Sequence, residues 1–487
     1  MAGPLDDARM NSNDPILRHS TFQVSSLFRF FAPSFALTYA CQQPRILAGT
    51  CVLDNMSSIG YSQAVVPPEP SFPELPPEVW QKIFRYAVQL PGAYSHTDID
   101  GFVAFTRDQY GICAQTRFRA VMNTKLSLSS VCSTWNALMM RHMFEYILLE
   151  SEPQTLRVAD TFAKHASAAC NEPCHPARWT TRLEIALDGA HTWTQEHALA
   201  LAYIIKSCPN LISFSTAFCT GDPPLLDNPS IISALAESSG VKRVELKVDL
   251  PLLKVIATAL SQSLEMVWLL PSRRASENHD PWTCRLPNLH TLVSQFQFGR
   301  VIDHLELPSL DTLIVSDTCD RASMICKGGR HLQYLSISDI ATTLPLLPMC
   351  QNLFTLAINF HEVALRNFAF LFNTMILSNV QRLVIEGNSD VDLSWWFTAK
   401  PARHTECLRK NLLSFASAET FPNLRNIQLV LPLSMERISH DPSARCNWRS
   451  VWSSWFTTCK TRGINVETAY GSQQWSTNQW QPFRITL

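Results

Sequence analysis

Glycine is scarce in this chain, with 15 among 487 residues, and there is no G-x-x-x-x-G-K, no G-x-G-x-x-G and no G-x-S-x-G. Loops that cradle phosphates or raise a nucleophilic serine need those glycines, so sites of these kinds are excluded. Charge is also scarce and balanced: Lys+Arg number 40, Asp+Glu number 41, and no basic stripe occurs. Without cations in register to neutralise successive phosphates, nucleic acid is not an expected partner. No apolar run approaches the roughly 18 residues of a membrane helix, so no membrane partner is expected either. The 15 cysteines are odd in number and follow no repeating spacing. They read as reduced thiols of the cytoplasm or nucleus, and no Lys/Arg-rich run decides between the two. A single sequon, Asn55-Met56-Ser57, is too short a match to argue for secretion.

Apolar residues are plentiful at 46%, enough for a large core and two domains with flanking segments. Residues 1–70 show no period and end in the proline cluster Pro67-Pro68-Glu69-Pro70, which favours an extended tail. Within them Phe28 to Cys41 is apolar, but Asp6 and Asp7 stand where a secretory signal carries positive charge, and Pro33 interrupts the run. Met56 offers an alternative start of translation. Order begins at Phe72-Pro73-Glu74-Leu75-Pro76-Pro77-Glu78. Proline in a first turn costs no hydrogen bond, and Glu78 favours the positive end of the helix dipole. Val79 with Ile83, and Trp80 with Phe84, then form an apolar face. Residues 90–123 contain Pro91-Gly92, Asp98, Asp100 and Gly101, and read as a loop or insertion. Helical spacing returns at Leu128, Val131, Cys132, Trp135, Leu138 and Met139 and runs loosely to Ile147, closing a unit of residues 71–150.

Residues 151–470 repeat one phrase, an apolar residue followed three positions later by another. The copies are Leu211/Phe214, Val241/Val244, Leu264/Val267, Leu289/Leu292, Leu310/Leu313, Leu332/Leu335, Leu353/Leu356, Val380/Leu383 and Leu424/Ile427. Their starts advance by 30, 23, 25, 21, 22, 21, 27 and 44 residues. Steps of about 20 to 29 residues are those of leucine-rich repeats, and the last leaves room for an extra helix or insertion. Between copies, Leu252-Leu253-Ile256-Leu260 and Leu365-Phe368-Leu371-Phe372-Met375 have helical spacing. The expected fold is α/β: a small all-α unit, then an irregular solenoid of strands and helices in which each repeat buries its neighbour's apolar side. Residues 471–487 form a tail.

Leu75-Pro76-x-Glu78-Val79 with Ile83-Phe84, followed by Leu128-x-x-Val131-Cys132-x-x-Trp135, resembles an F-box, and the repeat domain resembles leucine-rich repeats. The resemblance covers about 75 residues and departs from the family in the 47 positions separating Phe84 from Val131. It implies a non-catalytic subunit of a Skp-cullin-F-box ubiquitin ligase, with the repeat domain holding a protein substrate. Leu75, Pro76, Val79, Ile83 and Phe84 would meet the Skp-type adaptor, with Leu128, Val131, Cys132 and Trp135 completing that surface or packing beneath it. The alternative is a repeat scaffold that binds partners without a ligase.

The residues themselves offer little catalytic chemistry. Cys170, Cys174, His175, His191 and His197 lack paired zinc-ligand spacings, and His361-Glu362 has Leu365 where a metalloprotease needs histidine. No enzyme, metal or cofactor is expected. Trp448, Trp452, Trp455 and Phe456 fit the buried face of a helix capping the last repeat. Strand alternation sends the repeat leucines inward and two columns outward: Thr291, Thr312, Tyr334, Thr355, Arg382 and Asn426, and beside them Val293, Ile314, Ser336, Ala357, Val384 and Gln428. Thr312, Tyr334, Thr355, Arg382 and Asn426 are the expected substrate contacts, on a face suited to a protein surface.

Overall fold

The computed structural model describes residues 75–90, 92–106, 114–167, 175–187, 193–219, 228–248, 250–271, 283–294, 305–315, 321–337, 339–360, 363, 366–372, 374–387, 401–430, 442–470 and 473–475. The expected N-terminal tail, with Phe28–Cys41 and Met56, lies outside them, as does the C-terminal tail apart from residues 473–475. The chain divides after Leu75, and the described helices and strands belong to the unit Pro76–Leu487.

This unit opens with helices: α1 (Pro77–Val88), α2 (Ile99–Thr106), α3 (Ala114–Ser129) and α4 (Ser133–Glu145). Proline stands in the first turn of α1 and Glu78 beside it, as its sequence requires. Phe84, Val88 and Met139 form a dry centre, closed by Trp80, Val121, Leu128, Trp135 and Leu138. The Trp135 ring lies 4.7 Å from Trp80 and 4.8 Å from Phe84, so both halves of the split motif share one core. The expectation of a loop over 90–123 is corrected here. Its end, from Ala114, belongs to α3, and Ile99–Thr106 forms α2. The helical signal of α3 is short because Phe118 packs on Tyr146 of the sheet, ring centroids 4.3 Å apart, while Val121 and Leu128 face the helices. Lys125 ties the pair of helices internally. Its fully buried Nζ donates to the His142 carbonyl at 2.6 Å, and burial pulls its pKa down to about 8.

Strands then follow in chain order: β1 (Tyr146–Leu149), β2 (Arg182–Ile185), β3 (Ser213–Ser215), β4 (Arg243–Val248), β5 (Met266–Pro271), β6 (Cys284–Arg285), β7 (Thr291–Ser294) and β8 (Leu305–Glu306). After them come β9 (Thr312–Val315), β10 (Tyr334–Ile337), β11 (Thr355–Asn359), β12 (Arg382–Glu386), β13 (Asn426–Val430), β14 (Asn465–Tyr470) and β15 (Gln473–Trp475). All but β6 and β8 make one thirteen-stranded sheet whose order follows the chain. Neighbours are parallel except β15, which runs antiparallel to β14, and β6 pairs with β8 separately. The fold is thus mixed α/β: helices come first, then a long, mainly parallel sheet with further helices between its strands. No helix among the described residues is long and apolar enough to cross a membrane.

The register places the second residue of each repeat phrase in one row, from Phe214 through Val244, Val267, Leu292 and on to Ile427. Every residue of the nine expected pairs is buried, Leu424 being the most exposed at 5%. Together with the helices behind them they form one continuous apolar layer. Polar side chains tie successive turns: Asn210, Asn288, Asn352, Asn379 and Asn423 donate to the carbonyls of Arg178, Gln262, Arg330, Gln351 and Ser378. Ser309 does the same to Pro287. Each bond satisfies a carbonyl of the preceding turn that parallel pairing leaves free.

The helix over Leu250–Ala259 agrees with the sequence pattern, whereas among the described residues of the second expected segment only Ala369–Phe372 is helical. The helix Pro401–Phe415 occupies the wide last step. Tyr146 and Ile147 belong to β1 and not to the helix expected there, so the sheet begins before residue 151.

Candidate functional site

Two surfaces concern function. The first lies on α1. Buried Phe84 and Val88, with Trp80 packed against them, mark its inner side. Val79 (38% exposed), Ile83 (42%) and Tyr86 (80%) lie four and three residues apart on the opposite side, an unpartnered apolar stripe. Across the Trp80–Trp135 contact, Val131 and Cys132 are exposed immediately before α4. Leu75 and Pro76 are exposed ahead of α1.

The nine residues expected at an adaptor therefore separate by burial. Leu75, Pro76, Val79, Ile83, Val131 and Cys132 are exposed, while Leu128 and Trp135 pack beneath. Phe84, at 1% exposure, is core, which corrects its placement on the surface. Tyr86 was not singled out by the sequence pattern, although extending the Val79–Ile83 stripe by three residues reaches it.

The second surface is the strand face opposite the apolar layer. The pairing reproduces both outward columns, with Thr291, Thr312, Tyr334, Thr355, Arg382 and Asn426 in one row. Their exposure differs from expectation: Thr312, Tyr334 and Thr355 are buried, Arg382 is half-buried, and only Asn426 is exposed. Alternation decides which side of a sheet a residue faces, and here that side is covered.

Part of the cover comes from the segment between α1 and α3. Phe102 of α2 joins Met266, Trp268, Val293, Ile314 and Tyr334 in a second apolar cluster, meeting Trp268 edge-on with ring centroids 5.5 Å apart. Asp100 pairs with Arg382 at 2.8 Å, and His96 with Glu265 at 2.8 Å. Five strands lie between β4, whose Arg243 sits 4.8 Å from the Phe102 ring centre, and β12, which carries Arg382. A flat sheet would set them about 29 Å apart. One helical turn reaches both, so the sheet curves around α2.

At the N-terminal strands this cover is fastened by buried charge. Arg182, Glu184, Arg243 and Glu245, on alternate positions of β2 and β4, are wholly inaccessible. Arg182 donates to Glu245 at 2.7 and 2.8 Å and to Glu184 at 2.6 Å, while Arg243 reaches Glu245 at 2.6 Å. Tyr146 donates to Glu184 at 2.6 Å. The two cations and two carboxylates balance, and one nitrogen of each guanidinium also reaches the segment. Arg243 Nη1 donates to the carbonyls of Gly92 and Ser95, both at 2.6 Å, and Arg182 Nη1 to that of Ala93 at 3.2 Å. Burial would raise Glu245, but the two guanidiniums bring it down to about 2. Burial raises Glu184, with Arg182 only partly offsetting it. Glycine permits the segment's path. Gly92 has φ +72°, and a Cβ on it would stand 1.8 Å from the Gly101 carbonyl oxygen.

Of the Cys/His group whose spacing does not fit a metal site, His175 and His197 are engaged locally. His175 accepts from Ala177 N at 3.2 Å, and His197 accepts from Thr194 N at 3.1 Å in a capping box. Cys170, Cys174 and His191 lie outside the described residues, as do His361, Glu362 and Leu365. Among the described residues no group of three potential metal ligands occurs. Trp452 and Trp455 are buried on the helix Pro442–Thr461 with Phe456 against them, while the Trp448 side chain lies outside the described residues.

Compared with models of known protein families the chain matches none, and no curated protein matches it significantly.

Proposed function

We propose that this chain is a non-catalytic, substrate-recognising subunit of a Skp-cullin-F-box ubiquitin ligase. In this reading α1, α3 and α4 form an F-box-like docking unit, and the sheet with its helices is an irregular leucine-rich-repeat solenoid that holds a protein substrate. The observation that carries it is the exposed stripe Val79, Ile83 and Tyr86 on a helix whose other side is fully used in the core. A small helical unit that already has a dry centre gains nothing from further exposed apolar residues unless a partner covers them. The repeat reading is supported by the uniform parallel register and by the asparagine bonds between turns. Such a subunit accelerates ubiquitin transfer by proximity, raising the effective concentration of a substrate lysine at the loaded carrier.

The test is binding of purified Skp-type adaptor to the full chain and to a Val79→Asp/Ile83→Asp variant. Both changed residues are exposed, so melting temperature should be retained. The reading expects adaptor affinity to fall at least about a hundredfold, roughly 2.7 kcal/mol. A folded wild-type chain that ignores the adaptor would leave a repeat scaffold acting without a ligase.

A further inference from the structure

The strand face is expected to receive a partner, and a segment of the same chain already sits on it. The segment has two parts held in different ways. Gly92 to Ser95 is fixed by carbonyl bonds to two wholly buried arginines. The first turn of α2 rests on the face chiefly by Asp100 and Phe102, with Ile99 against the same apolar cluster and the Phe102 ring 4.8 Å from Arg243. Asp100, 54% exposed, meets Arg382, 24% exposed, and Phe102 enters the cluster of Met266, Trp268 and Val293. Exposed ion pairs contribute only about 0–1 kcal/mol, whereas breaking a buried, hydrogen-bonded charge costs several. The two parts should therefore open at different free energies, α2 first and the arginine-held turn only on global unfolding.

We propose that the surface beneath α2 is a docking site occupied in cis, and that the partner taking it presents an acidic side chain two residues before an aromatic one. The charge requirement comes from Arg382, which needs an anion if Asp100 leaves; Gln428, its other neighbour, supplies none. The aromatic requirement comes from Trp268, which meets Phe102 edge-on in one apolar cluster with Met266 and would lose that ring while keeping Phe218. The spacing is that of Asp100 and Phe102 themselves, which stand about 200° apart around the helix and both reach the sheet because the sheet curves around α2. An occupied site lowers the apparent affinity for any competitor by the fraction of time it is open. α2 thus acts as a threshold that selects partners able to supply both groups. The inference rests on the reading that the strand face receives a protein, and is independent of whether a ligase is attached.

The probe is a fluorescein-labelled peptide of this chain's own sequence from Thr97 to Thr106, titrated into the full-length protein. Asp100→Ala should tighten peptide binding about two- to fivefold, and Asp100→Ala/Phe102→Ala at least about tenfold. Adding Arg382→Glu should remove the gain, and a peptide carrying lysine in place of Asp100 should restore it on that variant. Hydrogen exchange in wild-type protein saturated with peptide should speed up over residues 99–106 while residues 92–95 keep their protection. Unchanged affinity in Asp100→Ala, a gain that survives Arg382→Glu, or exchange over 99–106 indifferent to peptide would each overturn the proposal. The single substitution is at an exposed position, so the test stands even if the double variant fails to fold. Adaptor binding is measured on the same preparations. Peptide behaviour as expected without adaptor binding would remove the ligase reading and keep this one, and the reverse result would do the opposite.

Discussion

The two faces of the sheet are built from the same strands by different means. One face is a row of aliphatic side chains in which each repeat packs on the next. The other begins with four buried charges at β2 and β4 and is closed by a segment that precedes Arg243 by about 150 residues. An apolar layer of the first kind is roughly additive, since its stability is a sum over neighbouring repeats. A face of the second kind is all or nothing: its charges are tolerable underground only while each has its partners.

The sharpest way to break the contrast is Arg243→Ala, which leaves Glu245 buried beside one guanidinium and frees the carbonyls of Gly92 and Ser95. A loss of about 3–5 kcal/mol is expected in denaturant titration, with the segment released. Leu335→Ala, in the middle of the apolar row and fully buried, should cost about 2–5 kcal/mol yet leave the segment in place. Gly92→Ala combines a left-handed φ with overlap on the Gly101 carbonyl, so at least about 1–2 kcal/mol should be lost, without any change in the apolar layer. Asn352→Ala, which removes one bond between turns, should lower stability by only about 0.5–1.5 kcal/mol.

Acid separates the faces by sign. Glu245 titrates near 2 in the folded protein against about 4.3 unfolded, so its contribution is present above pH 4.3 and is lost as pH falls toward 2. Glu184 is shifted upward and works in the opposite sense, offsetting part of that loss. Equilibrium unfolding of wild type and Arg243→Ala across pH 5 to 2 should therefore converge, because the variant has already lost the arginine that helps depress Glu245.

The aliphatic face was legible in the sequence because a three-residue step recurring at nearly constant spacing is the mark of stacked repeats and of little else. Its ends were not. In β2 the residue three before Leu183 is Thr180, and in β14 the residue three before Val466 is Gly463, whose φ of +70° ends the preceding helix. Neither shows the apolar pair, while Phe144 and Ile147 of the β1 copy are equally good helix spacing. On the docking helix, Val79 and Ile83 were found by the same periodicity, and so was Phe84, whose burial depends on which side meets Trp135, a residue 51 positions away. The covered face was beyond reach for a related reason. Arg182, Glu184, Arg243 and Glu245 alternate as surface residues do, and only tertiary contact with Gly92, Ala93 and Ser95 puts them underground. Period two identifies a side of the sheet, not its solvent.

The most direct test of the covered face is hydrogen exchange over Gly92–Phe102 in the full chain at neutral pH, beside the same region in Arg243→Ala. Ala93, Asp98, Gly101 and Phe102 each donate their amide within the segment, and the arginines hold its turn to the sheet. Wild-type exchange over Gly92–Ser95 as slow as that of β4, lost in the variant, is the predicted result. Exchange of those residues in wild type at the rate of a free loop would contradict it.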